Sequence, residues 1–287
     1  MNHEIRPLQA GLYLVATPIG SARDITLRAL DILASCDLIA AEDTRTARKL
    51  MEIHGVPLGR RQVVAFHDHS GGGAVERFVA AIAAGQSVAC VSEAGTPLIA
   101  DPGYELALAV QAAGLPVTAA PGASAVLAAL AVAGLPTDRF AFLGFLSAAE
   151  AQRRTQLAEV RDLPFTLVIY ESPKRVHDLL TAGCEVLGED RSAVVCRELT
   201  KKFEEVSRGT LGSLAADFDG RAVKGEVVVL IGRAGAEEVS EIDVEQALRD
   251  AMATMRVKDA ATAVAGALGL PRRQVYQTAL SMDRKET

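Results

Sequence analysis

Between residues 10 and 120 the chain alternates short β-prone runs with helix-like stretches, and this alternation is what most narrows the folds open to it. Strands are expected at 11–16, 38–41, 63–67, 87–91 and from 117, with helices at 26–34, 45–54, 74–84 and 104–113 between them. Strands joined through helices build a largely parallel sheet covered by helices. Asp24 or Thr26 can cap the first helix, and Gly85 and Gly114 stand where left-handed C-terminal residues belong. Three of these strands run into loops of small residues: TPIGSARDIT at 17–26, SEAGTPLIADPG at 92–103 and PGASA at 121–125. Three strand ends on one sheet edge can surround a single ligand, which is where open α/β sheets place their sites.

The pattern changes after residue 121. Apolar β-prone runs at 140–145, 165–170, 193–197 and 226–231, with helices at 124–133, 148–160, 173–187 and 210–217, suggest a second α/β domain with a more mixed sheet. Residues 232–240 read as a linker. In 241–287, Val244, Leu248, Ala251 and Met252 share one helical face, Ala260, Val264 and Leu268 a second, and Val275, Ala279 and Leu280 a third. The reading is therefore an α/β chain of two domains, 1–120 and 121–235, with a small helical module at 241–287 whose turn carries Arg272 and Arg273. A length of 287 residues and a hydrophobic content of 49% are enough for more than one core.

Charge removes several functions. With 30 Lys and Arg against 36 Asp and Glu, the net charge of -6 argues against binding nucleic acid by bulk attraction, so any RNA contact must come from local patches. The tail offers one: between Met252 and Val275 lie Arg256, Lys258, Arg272 and Arg273 against Asp259 alone. With no Trp and 4% aromatic residues, an extended base-stacking platform is not expected. Residues 106–137 carry no charge, but Pro116 and Pro121-Gly122 break them, and the uninterrupted piece at 123–135 is shorter than the roughly 20 residues a membrane span requires. Cys36, Cys90, Cys184 and Cys196 are scattered and no secretory leader is recognisable at the N-terminus, so a reducing, cytoplasmic setting is expected.

Several polar groups have both a structural and a chemical reading. The loop at 17–24 is neither a dinucleotide fingerprint nor a Walker loop with its lysine, which removes the usual nucleotide readings. Glu42, Asp43 and Arg45 follow a strand, as a solvated helix start or as a cleft wall. Asp101 is either the cap of the helix at 104–113 or a ligand contact. Ser124 can cap the helix it begins, while the free N–H groups there can meet an anionic ligand group. His67, Asp68 and His69 form too small a set to hold a metal, and no metal is expected. Lys174 with Arg175, Arg197 with Glu198, and Lys201 with Lys202 are either surface ion pairs or a rim for phosphate contact.

The three loops, together with AEDTR at 41–45, FLGFL at 142–146, YESPKR at 170–175, RELTK at 197–201 and KGE at 224–226, resemble in order the bacterial small-subunit ribosomal RNA methyltransferases that act on the ribose 2′-oxygen of a cytidine, within the tetrapyrrole-methylase superfamily. The resemblance spans nearly the whole chain. It implies a two-domain tetrapyrrole-methylase-like fold, S-adenosyl-L-methionine held between the domains, small-subunit ribosomal RNA as partner, a homodimer, and a helix-turn-helix-like tail. It assigns Pro18, Glu93, Ala94, Gly95, Thr96, Ser124, Ala125, Tyr170 and Gly225 to the donor pocket, and Glu42, Asp43, Arg45, His67, Arg272 and Arg273 to the RNA side. Glu93 departs from the usual aspartate by one methylene, and Ala100 replaces a common serine. Because a ribose hydroxyl is a poor nucleophile, a nearby cation or base is expected, with Lys174, Arg175, Arg197, Glu198 and Lys201 as candidates. A tetrapyrrole-precursor C-methyltransferase and a ribosome assembly factor without turnover are the alternatives. The AEDTR and YESPKR motifs and the tail weigh against the first, and the complete donor loops against the second.

Overall fold

A computed structural model describes residues 3–67, 71–101, 103–234, 241–253, 255–268 and 272–286. Asp68, His69, Pro102, residues 235–240 of the linker expected at 232–240, and the turn at 269–271 lie outside the described residues. The chain divides into two compact units, one holding residues 1–161 and 165–232 and the other residues 162–164 and 233–287.

The first sheet of the first unit is built from β1 (Gly11–Val15), β2 (Leu38–Ala41), β3 (Gln62–Ala65), β4 (Ser87–Val91) and β5 (Val117–Ala120). Their order is β3-β2-β4-β1-β5 and every pairing is parallel, so all five carboxyl ends share one edge. The helices α1 (Leu27–Ser35), α2 (Thr44–Ile53), α3 (Gly71–Ala83) and α4 (Tyr104–Ala112) connect successive strands. β2 and β4 are buried along their whole length, as strands covered on both faces must be. After β1 the chain turns toward β2 on one side of the sheet, whereas after β4 it crosses to β5 on the other. The connections leaving β1 and β4 therefore run to opposite faces of the sheet, the switch point at whose carboxyl edge such sheets form a crevice.

Local chemistry sets the helix starts. Thr26, not Asp24, caps α1, its hydroxyl accepting the Ala29 N–H at 3.1 Å. Asp43 caps α2 by accepting the N–H groups of Arg45 and Thr46 at 2.7 and 3.2 Å. The expected Asp101 cap is not formed. The N-cap of α4 is Gly103, whose φ of 121° suits a glycine, and no side chain caps that helix.

The second sheet comprises β6 (Phe140–Phe145), β7 (Thr166–Glu171), β8 (Ser192–Arg197), β9 (Glu205–Thr210) and β10 (Val227–Ile231), in the order β6-β7-β10-β8-β9. β6 runs parallel to β7 and the other pairs are antiparallel, which is the mixed sheet that was expected. The strand β9 was not. α6 (Glu150–Glu159), α7 (Val176–Leu187) and α8 (Leu211–Phe218) cover one face, around Leu157, Leu179, Leu214 and Phe218. The other face receives α5 (Ala125–Ala133), whose Val126, Ala129 and Leu130 pack with Val194, Cys196 and Leu230. Ile19, from the loop after β1, joins this second core at 6% exposure. Burying such a side chain contributes about 1.5–3 kcal/mol, so the β1 loop is anchored on the opposite sheet.

The second unit contains α9 (Glu241–Met252), α10 (Val257–Leu268) and α11 (Arg272–Glu286), closed around Leu248, Ala261, Val264, Val275 and Ala279. Among the described residues no helix is long and apolar enough to cross a membrane.

Candidate active site

At the crevice between β1 and β4 lies a cavity of about 340 Å³, within the size range of small-molecule sites. The first sheet supplies Glu42 at the end of β2, Ile19, the β4 loop from Glu93 to Thr96 with Ala100 and Asp101, and Ser124 and Ala125 at the start of α5. The second sheet supplies Phe145, Tyr170 to Pro173, and Gly225 to Val228.

Hydrogen bonds tie these loops together. Thr17 and Gly95 exchange N–H···O bonds of 2.8 and 3.0 Å, joining the β1 and β4 loops. The Thr96 hydroxyl donates to the Ala123 carbonyl at 3.0 Å, and the Glu93 N–H donates to Glu42 Oε2 at 2.8 Å. Across to the second sheet, the Ser21 N–H donates to Thr200 Oγ1 at 3.1 Å. Gly20 permits that approach: a Cβ there would lie 2.5 Å from both Thr200 Oγ1 and Lys201 Cγ. Among the described residues, four other than glycine have positive φ: Leu98 and Ala100 in the β4 loop, and Glu198 and Thr200 in the β8 loop. Each costs about 1–2 kcal/mol, and such residues cluster where surrounding structure fixes a functional loop.

Beside the cavity Lys201 Nζ donates to Glu198 Oε1 and Glu226 Oε2, both at 2.9 Å, while the Glu226 N–H donates to Glu198 Oε1 at 3.0 Å. Burial alone would raise the Glu198 carboxyl, but the Lys201 and Glu226 hydrogen bonds and the nearby cations outweigh it and hold the carboxyl below its usual value. Burial disfavours the Lys201 cation, yet its two carboxylate partners raise its pKa.

The candidate arginines are each taken up by a carboxylate. Arg197 Nε donates to Glu205 Oε2 at 3.1 Å, and Glu205 also pairs with Arg221 at 2.7 Å. Arg175 pairs with Glu171 at 2.6 Å. Glu171 is 2% exposed; its second oxygen, Oε2, is buried without a hydrogen-bond partner, and burial raises its pKa despite Ser172 N–H, Arg175 and Arg153. Tyr170 packs edge-on to Phe142 and Phe145, at 4.8 and 5.6 Å between ring centroids. Its phenol is pushed up to about 12, first by burial and then by the charge of Asp101.

Of the residues expected around the donor, Glu93, Ala94, Gly95, Thr96, Ser124, Ala125, Tyr170 and Gly225 line the cavity. Pro18 does not; its neighbour Ile19 takes that place. Ser124 occupies the N-cap position of α5 without a side-chain capping bond, so the capping reading fails and its hydroxyl belongs to the cavity wall. Of the residues expected on the RNA side, Glu42 lines the cavity. Asp43 and Arg45 instead bond each other at 2.9 Å, and this pairing holds the Asp43 carboxyl at about 2. His67 is exposed and outside the lining, while Arg272 and Arg273 are exposed on α11 of the other unit. Lys174, Arg175, Arg197, Glu198 and Lys201 all lie outside the lining, with Lys201 connected to it through Glu226. Sequence reasoning passed over Glu171, Ser172, Pro173 and Glu226, although each lies in a motif already singled out.

Residues 11–215 match the family model described as tetrapyrrole (corrin/porphyrin) methylases, and residues 238–283 match one described as the RsmI C-terminal HTH domain. The ribosomal RNA small subunit methyltransferase I of Mesorhizobium japonicum is 44% identical over 96% of this chain and 94% of its own length. The chain belongs to this methyltransferase family. The protein of the same name from Escherichia coli O157:H7 is 41% identical over 95% of each chain. Among solved structures, the methyltransferase CobJ has a TM-score of 0.61 at 20% identity, covering 78% of this chain and 95% of its own. A Thermus thermophilus uroporphyrin-III C-methyltransferase complexed with S-adenosylhomocysteine has a TM-score of 0.55 at 21% identity, over 77% and 97%. These two likenesses establish the tetrapyrrole-methylase fold.

Proposed function

We propose that the protein transfers a methyl group from S-adenosyl-L-methionine to the ribose 2′-oxygen of a cytidine in small-subunit ribosomal RNA. Family membership carries the methyltransferase and the RNA class; the cavity carries the placement of the donor. Its volume, its loops from both sheets and its mixture of carboxylates with apolar side chains fit a zwitterionic nucleoside bearing an extra positive charge. Glu93, Thr96 and Asp101 offer acceptors to a ribose diol or ammonium, and the N–H groups at the start of α5 face an anionic group. When bound, the donor supplies an electrophilic methyl group on a sulfonium.

The chain's own residues supply alignment. The bonded loops fix the walls, and Ile19, Phe145 and Val228 exclude water from the reacting pair. At the mouth Lys201 and Glu198 hold Glu226, which we assign to orient the acceptor hydroxyl. Arg175 and Arg197 act as positioning residues through Glu171 and Glu205. The exposed Lys174, together with Arg45 and His67 and, on the helical tail, Arg272 and Arg273, contacts RNA phosphates. Exposed Tyr104, Leu108, Leu127 and Phe140 in the first unit support a homodimer, and the protein works in the cytoplasm, where its ribosomal substrate is.

The test uses small subunits from cells lacking the protein, treated with it and labelled donor. A 2′-O-methyl group protects the adjoining phosphodiester from alkali, so one resistant linkage is expected in the RNA. Lys201→Ala should reduce that signal more than it reduces donor binding, and removal of residues 241–287 should weaken subunit binding alone. Label on a base, on protein or on a tetrapyrrole overturns the ribose assignment.

A further inference from the structure

The cavity's charge is one-sided. Among its described lining residues are five carboxylates, Glu42, Glu93, Asp101, Glu171 and Glu226, and no Lys, Arg or His. Glu171 adds a separate sign of an occupant: it belongs to the wall, is 2% exposed, and keeps one oxygen without a hydrogen-bond partner.

The five differ in how far their charge is already offset. Glu226 shares the Lys201 cation with Glu198, and Glu171 pairs with Arg175. Arg45 lies within electrostatic reach of Glu93, while the Asp101 charge disfavours ionisation of the Tyr170 phenol. Glu42 accepts one backbone N–H, from Glu93, and forms no ion pair with the described residues. Its charge also reaches inward: the buried Cys90 thiol is pushed up to about 12, first by burial and then by Glu42. Glu42 therefore places a carboxylate charge in the cavity wall, within electrostatic reach of the buried Cys90 and with no ion-pair partner among the described residues.

Resting on the reading that the donor occupies this cavity, we propose that the carboxylate lining selects by charge, holding the sulfonium donor in preference to the neutral thioether product, with Glu42 as the main determinant. Transfer changes the charge inside the cavity. The methyl group moves to the ribose oxygen, the S–C bonding pair stays on sulfur, and the hydroxyl proton leaves to solvent, so a cation becomes a neutral thioether. What the carboxylates attract before the reaction they no longer hold after it, and product leaves readily. Because the positive charge is already dispersing in the transition state, Glu42 favours the bound donor over the transition state as well as over product, so its removal should weaken donor binding without slowing the transfer step.

Calorimetry with the full-length protein tests this using three probes: S-adenosylmethionine, S-adenosylhomocysteine, and sinefungin, which carries a protonated amine in place of the sulfonium. The wild type should bind the two cationic probes more tightly than the neutral one, and the ratio should shrink as salt rises from about 0.05 to 0.5 M. Glu42→Gln, which keeps an oxygen for the Glu93 N–H, should weaken the cationic probes by roughly three- to tenfold and the neutral probe by less than about twofold. A matched melting temperature shows that the variant is folded, and the wild-type salt series tests the idea without any mutation. Equal weakening of all three probes, or a wild type that prefers the homocysteine at every salt concentration, overturns charge selection while leaving the donor in the cavity. Ser124→Arg separates the underlying reading: if it leaves all three affinities unchanged, the donor does not bind here and both ideas fall.

Discussion

Replacing Gly225 with alanine tests whether the Glu198 carboxylate holds the mouth of the cavity. An added Cβ would lie 2.4 Å from both Cδ and Oε1 of Glu198, on a backbone with φ of +89°. An L residue in that region costs about 1 kcal/mol. To make room, the carboxylate has to leave Lys201 Nζ at 2.9 Å and the Glu226 N–H at 3.0 Å. The Glu198 side chain is only 17% exposed, so these two bonds together contribute about 2 kcal/mol, allowing little for the ion pair and most for the charged hydrogen bond. The total loss of about 3 kcal/mol lowers the melting temperature of a unit this size by roughly 6–12 °C. Glu198→Ala alone loses the same bonds, about 2 kcal/mol, without the backbone penalty. Since the bonds can be lost only once, the double variant should lose about 3 kcal/mol, whereas independent effects give about 5. Calorimetric melts of the four proteins measure the difference. A double-variant loss near the additive value would show that the alanine displaces something other than Glu198.

Asp43→Ala should lower the melting temperature near neutral pH by removing the cap of α2. Because the folded pKa of Asp43, about 2, lies below its ordinary 3.8, that contribution is present above 3.8 and fades as pH falls toward 2. The gap between wild type and variant should therefore close over this acid window, and a gap independent of pH would refute the assignment. Burial raises the thiols of Cys36 and Cys196 to about 11 and that of Cys90 to about 12, whereas Cys184 is only half-buried. A thiol reagent near pH 8 should label Cys184 first and the others only on unfolding; fast labelling of native Cys90 would contradict its burial beneath the first sheet's helices.

The parallel half was readable because each of its strands is an apolar run bounded by helix signals. The strand β9 was not: Glu205-Val-Ser-Arg-Gly-Thr210 pairs on one side only, as an edge, and has no apolar alternation to announce it. That omission carried into the site, because the partner of Arg197 is Glu205 on that unseen strand, so its cation looked available when it is not. Asp101 shows a similar limit. An aspartate shortly before a helix resembles a cap, but the helix starts after Gly103 with a left-handed backbone that only the folded loop reveals. Glu171 and Glu226 were visible as residues within motifs, yet their facing depends on strand ends meeting across two sheets, which no local pattern encodes.

The position of β10 in its sheet has a consequence for synthesis. It lies between β7 and β8, although both of those strands precede it in the chain. Until Val227–Ile231 leaves the ribosome, β7 and β8 each lack one of their two neighbours in the sheet. At about 5–20 residues per second, the stretch from Arg197 to Ile231 takes a few seconds to make. Through that interval two apolar strands present open edges in the nascent chain, the condition that invites pairing with the wrong partner. The last strand to emerge is the one that closes them, so truncation anywhere before it leaves a chain prone to aggregate, not a smaller enzyme.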